Sequence, residues 1–244
     1  MDLSFRLVID PAESERFGFK CARAYNVTAN DFEDVVRFCQ EHDVNLLTIR
    51  CDVSELAAVH AFEEAGCRLM DTLVYYSRNT KTVQDTIDGG AEIRPIDRGE
   101  EDDVKEIAKH AFKNYIDHYH SDPRLDNEQA DEAFASWAFR SCTDRSVADE
   151  VLVAVEEQEV FAFATMRLND SEEGEGVLFA ASRTVRRRGT YGRLISHGIN
   201  WCKDKGAKRM IVSTQINNYG VQRVWVKQGF FHYKSFYTFH KWFS

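Results

Sequence analysis

The stretch from Ala180 to Ile195, Ala-Ala-Ser-Arg-Thr-Val-Arg-Arg-Arg-Gly-Thr-Tyr-Gly-Arg-Leu-Ile, constrains the fold of this chain more than any other. It follows an apolar run that reads as a strand, Gly176 to Ala181, and opens a segment with helical apolar spacing, Gly192 to Lys205. A strand that feeds a helix through a loop rich in glycine and arginine requires an α/β fold. Glycines at 189 and 192 let the backbone approach a ligand closely. The free N–H groups that begin a helix carry partial positive charge and seat an anion. Arg186, Arg187 and Arg188 add charge-assisted donors beside them. The chain as a whole carries a formal charge of −9 over 244 residues, so this basic cluster stands against its surroundings. With a strand before it and a helix after it, the segment reads as a phosphate cradle rather than as a nucleic-acid patch or a solvated turn.

The remainder of the C-terminal part alternates element types. Glu92 to Ile96 predicts a short strand, and Asp102 to Phe112 a helix whose Val104, Ile107, Ala108, Ala111 and Phe112 share one face. Asp126 to Cys142 predicts a second helix, with Asp126 as N-cap and Ala130, Ala133, Phe134 and Trp137 as its buried stripe. Val151 to Val155 and Val160 to Met166 predict a hairpin. Met210 to Thr214 reads as a strand, Val221 to Gln228 as a helix, and the aromatic run from Phe230 to Trp242 is expected to close the sheet. The acidic cluster Ser171-Glu172-Glu173-Gly174-Glu175 reads as a solvated hairpin tip. Residues 79–91 are polar, contain Gly89-Gly90 and lack an apolar period, so they read as a linker between a segment 1–78 and a segment 92–244.

Segment 1–78 contains a weak copy of the chain's end. A shift of 163 positions places Phe38 on Trp201, Cys39 on Cys202, Phe62 on Trp225 and Gly66 on Gly229. Helix, strand, helix and strand follow in one order: Phe32 to Glu41, Asn45 to Arg50, Leu56 to Ala65, Leu69 to Ser77. The alternatives are coincidence between two αβαβ units and a degenerate half-repeat, and the gapless match favours the half-repeat. No glycine or arginine loop precedes Phe32, so the copy is expected to bind no ligand of the cradle type.

Composition sets the outer limits. Hydrophobic residues at 43% and aromatics at 12% are enough for a packed core. Net negative charge argues against nucleic acid as a partner. Val151 to Met166 is interrupted by Glu156, Glu157 and Glu159, too short for the ~20 apolar residues of a spanning helix, so no membrane partner is expected. The start, Met1-Asp2-Leu3-Ser4-Phe5-Arg6, lacks the pattern of a secretory signal, and the six cysteines form no C-x-x-C pair. Reduced structural cysteines, no metal and a cytoplasmic location are the expectation.

The cradle resembles the cofactor loop of the GCN5-related N-acetyltransferase family, Q/R-x-x-G-x-G/A. Arg186-Arg187-Arg188-Gly189-Thr190 matches, and Tyr191 stands where Gly or Ala is usual. A second family feature, an Asn followed seven residues on by Tyr and then by Gly-Phe, is matched by Asn218 and Gly229-Phe230, with Trp225 at the Tyr position. Phe17-Gly18-Phe19 and Asp117 to Arg124 look like the bacterial dTDP-fucosamine acetyltransferase group, which acetylates a nucleotide-linked amino sugar.

The resemblance implies a mixed α/β fold, with a mostly antiparallel central sheet flanked by helices and preceded by a degenerate half-domain. It implies acetyl-CoA as co-substrate and a small-molecule amine as acceptor; a homodimer remains open. The strand Phe179, Ala180, Ala181 would pair with the pantetheine arm, splayed from Ile211 to Thr214, while a backbone N–H near Ala180 polarises the thioester. The amides of Arg187 to Gly192, Thr190 and Tyr191 among them, would hold the pyrophosphate and Asn218 the arm. The family's Tyr often protonates the leaving thiolate, which the indole at Trp225 cannot do; Trp225 is read as packing against the cofactor. Tyr219 is then a candidate hydroxyl, and His118 and His120 candidate bases. Asp117 and Asp122 are candidates to bind an amino group. Trp225 and Tyr191 also motivate a rival reading, a non-catalytic acyl-CoA-binding module.

Overall fold

Alternation along single strands sorts the core into layers. In the strand Glu150–Glu156, Leu152 and Ala154 enter one hydrophobic cluster, while Val151, Val153 and Val155 enter another on the opposite side. In Leu46–Asp52, Leu47, Ile49 and Cys51 face one layer and Leu46 the other. The computed structural model describes residues 5–81, 91–182 and 189–243. In chain order the elements are β1 (Arg6–Ile9), α1 (Pro11–Phe17), β2 (Cys21–Tyr25), α2 (Phe32–Glu41), β3 (Leu46–Asp52), α3 (Leu56–Glu64), β4 (Arg68–Asn79), β5 (Glu92–Pro95), α4 (Glu101–Ala111) and α5 (Asn127–Thr143). They continue with β6 (Glu150–Glu156), β7 (Glu159–Leu168), β8 (Glu173–Ala181), α6 (Thr190–Asp204), β9 (Arg209–Gln215), α7 (Tyr219–Lys227) and β10 (Phe231–Trp242).

The described strands form one ten-stranded sheet in the order β1-β2-β3-β10-β4-β9-β8-β7-β6-β5. Only β2 with β3 and β8 with β9 run parallel; the other neighbours are antiparallel. Helices α2 and α3 pack with Leu47, Ile49 and Phe239, and α6 and α7 pack with Met166, Met210 and Val212. Val74 lies opposite Ser235 and therefore shares its face. That puts Tyr76, beside Trp225 of α7, on the same side of the sheet as Tyr237 and Phe239. Helices α1, α4 and α5 cover the other side.

Strand β10 does not close the sheet at an edge, as its aromatic run suggested. It lies between β3 and β4, so the C-terminal strand is hydrogen-bonded on both sides to the N-terminal segment. The 163-residue shift carries β3 onto β9, α3 onto α7 and β4 onto β10 with the same bounds. It also carries over the pairing. Phe236 faces Asp52 and Leu73 faces Gln215; Trp242 faces Leu46 and Asn79 faces Arg209. Between β4 and β10, Leu73 faces Phe236, its own counterpart, and the register slips at two places related by the same shift, leaving Met70 and Tyr233 as the extra residues.

Two other expectations need correction. Glu173 and Glu175 are not a solvated tip: both are buried in β8, where Arg209 Nε meets Glu173 at 2.7 Å and Arg167 Nη2 meets Glu175 at 2.7 Å. The polar stretch from residue 79 is structured at its start, since Asn79 ends β4 and Thr80 donates to the carbonyl of Ala207 at 2.6 Å; residues 82–90 lie outside the described residues. Helix α5 follows its sequence signal, with the Asp126 side chain accepting from the Gln129 amide at 3.0 Å. The six thiols are unpaired and five are buried, and burial pushes Cys202 up to about 12. No helix among the described residues is long and apolar enough to cross a membrane.

Because β10 joins the two segments, its core contacts govern the stability of both. Phe239 is buried between Phe62 and Ile49. Phe239→Ala is expected to lower the free energy of unfolding by about 3–5 kcal/mol. Denaturant titrations followed by tryptophan fluorescence and by far-ultraviolet dichroism should shift together by that amount.

Candidate active site

Strands β8 and β9 are hydrogen-bonded only from Glu173 to Gly176 against Arg209 to Val212. Beyond that point β8 continues to Ala181, bound to β7 alone, and a fork opens between the two strands. Backbone alternation decides which groups face the gap. The Ser182 amide donates to Phe161 in β7 at 2.7 Å and Ala180 lies opposite Phe163, so the Ala180 N–H turns toward β7. The groups turned toward the fork are those of Phe179 and Ala181, one position either side of the expected donor. By contrast, β2 and β3 pair along all five residues of β2, Cys21 to Tyr25 against Leu46 to Arg50, and leave no fork.

The fork opens into a cavity of about 730 Å³. From the α6–α7 side it is lined by Tyr191, Val221 and Trp225, from the fork by Val177, Phe179, Thr214 and Asn218, and from the opposite side by Tyr115, Phe134 and His118. It therefore reaches through the sheet. Gly189 begins α6 in the left-handed conformation, φ 94°, which favours glycine. Among the described residues no side chain caps α6, and the first intrahelical bond runs from the Arg193 amide to the Gly189 carbonyl at 3.0 Å, so the amides of Tyr191 and Gly192 precede the helix's own hydrogen-bond ladder. Arg186, Arg187 and Arg188 lie outside the described residues.

Trp225 is buried, and its indole Nε1–H donates to the Tyr191 hydroxyl oxygen at 3.2 Å. Burial raises the Tyr191 hydroxyl above its ordinary range, while the Trp225 hydrogen bond works against that. Asn218 Nδ2 donates to Thr214 Oγ1 at 3.0 Å and to the Tyr115 hydroxyl at 3.3 Å, and Tyr115 and Thr214 are 2.9 Å apart. A three-group lock thus ties the segment after α4 to the open end of β9. Tyr219 stands apart. As the first residue of α7 it is 63% exposed and is not among the described residues lining the cavity.

His118 is buried at the cavity's far wall. Its Nδ1 lies 3.0 Å from Nε2 of His240, whose Nδ1 lies 2.8 Å from Asp122 Oδ2. The Trp242 indole donates to the same carboxylate oxygen at 2.8 Å. An ionised Asp122 only accepts, so His240 Nδ1 carries a proton; with the His240 ring neutral, its Nε2 accepts from Nδ1–H of His118. The Nε2 of His118 then carries a lone pair, and it makes no hydrogen bond among the described residues. Burial first, and then His240, Arg23 and Arg50, hold His118 well below the ordinary histidine range, so its ring is neutral near pH 7. Of the residues singled out beside it, His120 is held between Asp117 and Asp131, at 3.0 and 3.1 Å. The Arg124 amide donates to the other oxygen of Asp122 at 3.0 Å, so this carboxylate is consumed by three donors and is not free to bind an amino group. Neither His240 nor the triad was legible in the sequence, because His240 lies 118 positions from Asp122.

A model of the acetyltransferase (GNAT) family matches residues 104–230, just over half of the chain. The chain belongs to this family. Similar folds are found in a GCN5-related N-acetyltransferase from Sphaerobacter thermophilus, TM-score 0.65 at 14% identity, covering 98% of this chain and 76% of that one. A functionally unknown conserved protein from Staphylococcus epidermidis gives 0.66 at 12%, covering 99% and 92%. A tandem GNAT protein from the clavulanic acid biosynthesis pathway gives 0.63 at 11%, covering 91% and 75%. No curated protein sequence matches the chain.

Asp122 supplies a pH test of the triad. Burial pushes its carboxyl upward, but the hydrogen bonds from His240, Trp242 and the Arg124 amide outweigh this and hold it at about 2 against an ordinary 3.8. Its contribution to stability is therefore complete above about pH 4 and is lost as pH falls through about 2. Asp122→Asn should cost roughly 2 kcal/mol at pH 7, and the difference from wild type should vanish in acid-unfolding curves below about pH 2.

Proposed function

We propose that this protein transfers an acetyl group from acetyl-CoA to the amine of a small molecule. The observation that carries the proposal is the fork between β8 and β9, which opens at the start of α6 and leads through the sheet to His118. Family membership supports the acyl chemistry. The backbone of Phe179 and Ala181 offers the pantetheine arm a strand edge, with Ala180 holding that edge to β7. The amides of Thr190, Tyr191 and Gly192 offer the pyrophosphate donors, and Arg186, Arg187, Arg188 and Gly189 complete the loop. Asn218, fixed by Thr214 and Tyr115, and the buried ring of Trp225 shape the channel.

The chemistry divides between the two ends of the cavity. An alkylamine is protonated near pH 7 and attacks only as the free base. As its nitrogen bonds to the acyl carbon, the nitrogen becomes acidic, and His118 Nε2 takes the proton. The amide N–H groups of Phe179 and Ala181 stabilise the oxyanion. When the C–S bond breaks, the Tyr191 hydroxyl donates a proton to sulfur, backed by the Trp225 indole that donates to its oxygen. The hydroxyl that family members carry at the position of Trp225 is thus supplied from α6, and Tyr219 is not needed for it. The tandem architecture named for one structural neighbour supports reading residues 1–78 as a degenerate half-domain and 92–244 as the acetyltransferase domain, joined by 79–91. Nucleotide-linked amino sugars are acceptors to try first, on the strength of the Asp117 to Arg124 resemblance.

Release of free thiol in the presence of acetyl-CoA and a panel of amines tests this reading. Tyr191→Phe and His118→Ala should each lower turnover by about 10²–10⁴-fold. Both should keep the rise in melting temperature that acetyl-CoA gives the wild type, because neither removes the fork. Stabilisation by acetyl-CoA with no turnover of any amine would instead identify a binding module.

A second expected outcome concerns stoichiometry. With β2 and β3 zipped along their length, calorimetric titration should find one acetyl-CoA site per chain.

A further inference from the structure

The wall of the cavity opposite the fork has its own chemistry. Tyr25 lies beside Arg50 in the β2–β3 register, and Arg50 lies opposite Thr238 of β10, so the three share one face. Arg50 lines the cavity. Its Nε is buried without a hydrogen-bond partner, and its guanidinium makes no ion pair among the described residues. The carboxylates that line the same cavity are engaged elsewhere. Asp10 and Glu13 pair with Arg23, Asp117 with His120, Glu173 with Arg209 and Glu175 with Arg167. Asp71 lies in the same cross-strand row, opposite Thr238, but it is not a lining residue; Gln215 Nε2 donates to its Oδ2 at 3.1 Å, its Oδ1 is buried without a hydrogen-bond partner, and it makes no ion pair with Arg50. Two more cations flank the wall, Arg6 over the Tyr25 ring at 5.8 Å and Lys234 over the Tyr75 ring at 5.2 Å.

A half-buried guanidinium without a counter-ion is costly to keep unless something supplies the charge. In a chain of net charge −9, five carboxylates line this cavity, and none pairs with Arg50. We infer that the acceptor amine itself carries an oxyanionic group, a carboxylate or a phosphate, and that Arg50 binds it on the wall beside His118. The planar fork of arginine suits either group through two parallel hydrogen bonds. Arg50 and His118 line one cavity, and Arg50 is among the charges that disfavour protonation of His118, so an oxyanion and an amine seated there belong to one molecule. An occupant that neutralises Arg50 also relieves that disfavour, making His118 a better proton acceptor only when the acceptor substrate is seated. The inference deepens the acetyl-transfer reading and rests on it for the role of the amine.

Matched acceptor pairs test it: an α-amino acid against its amide, and a phosphorylated amino sugar against the unphosphorylated one. The wild type should prefer the anionic member of at least one pair by about tenfold to a hundredfold in kcat/KM, and the pair that shows the preference identifies carboxylate or phosphate. In Arg50→Met this ratio should fall to about one, with Arg50→Lys recovering part of it. A second measurement needs no turnover. With CoA present to fill the cofactor side, titration of inorganic phosphate and of acetate should raise the melting temperature of the wild type saturably, and less so in Arg50→Met. Retention of the acetyl-CoA shift shows that each variant is folded. Equal preference within both pairs, or undiminished anion stabilisation in Arg50→Met, overturns the inference while leaving acetyl transfer intact. Loss of anion stabilisation in Arg50→Met, with no amine acetylated, keeps the anion site and removes the transferase reading.

Discussion

The insertion of β10 between β3 and β4 is the constraint on which the rest of this molecule depends. A sheet made only of residues from 92 onward would end at β9, with the fork standing at an open flank. Instead β4 pairs with β9 along seven residues, Leu73 to Asn79 against Gln215 to Arg209, and stiffens the strand that forms one side of the fork. Strand β10 crosses to the other segment and carries His240 and Trp242 with it, the two side chains that donate to Asp122. The fork end of the cavity is therefore built from β8, β9, α6 and α7, and its far wall from the segment between α4 and α5 together with β10.

This arrangement divides the labour between the two faces of the sheet. Helices α6 and α7 bring the loop at Gly189, Tyr191 and Trp225 to one side, and the segment between α4 and α5 brings Tyr115 and His118 to the other. Burial supports both halves of the proposed chemistry. It keeps the His118 ring neutral and the Tyr191 hydroxyl protonated, so each side chain rests in the form that an acyl transfer requires of a base and of an acid.

Local signals were legible in the sequence wherever they acted within one element. The Asp126 cap, the apolar stripe of α4, the β6–β7 hairpin and the strand–loop–helix punctuation at Gly189 all rest on spacings of a few residues. The correspondence at a shift of 163 residues was legible because matching residue types recur at matching places along α2 and α3. What the sequence hid was pairing between distant segments. An aromatic run such as Phe230 to Trp242 specifies a strand but not its neighbours, and its central position follows only from the three-dimensional register. Glu173 and Glu175 looked solvated because their partners, Arg209 and Arg167, come from other strands. The helix and two strands before Phe32 were not anticipated, because β1 and α1 are short and carry little periodicity.

The register between β4 and β10 has a consequence of a different kind. Leu73 opposite Phe236, with slips at symmetric places, is the geometry by which two separate chains pair edge to edge across a twofold axis. Here both partners lie on one polypeptide, so the association is intramolecular and its effective concentration is fixed by the chain itself. Dilution cannot part them. A partner that is always present is also released from carrying a binding cleft of its own, and the unsplit pair β2–β3 can serve as a wall, presenting Arg23, Tyr25 and Arg50 to a site whose fork belongs to the other half.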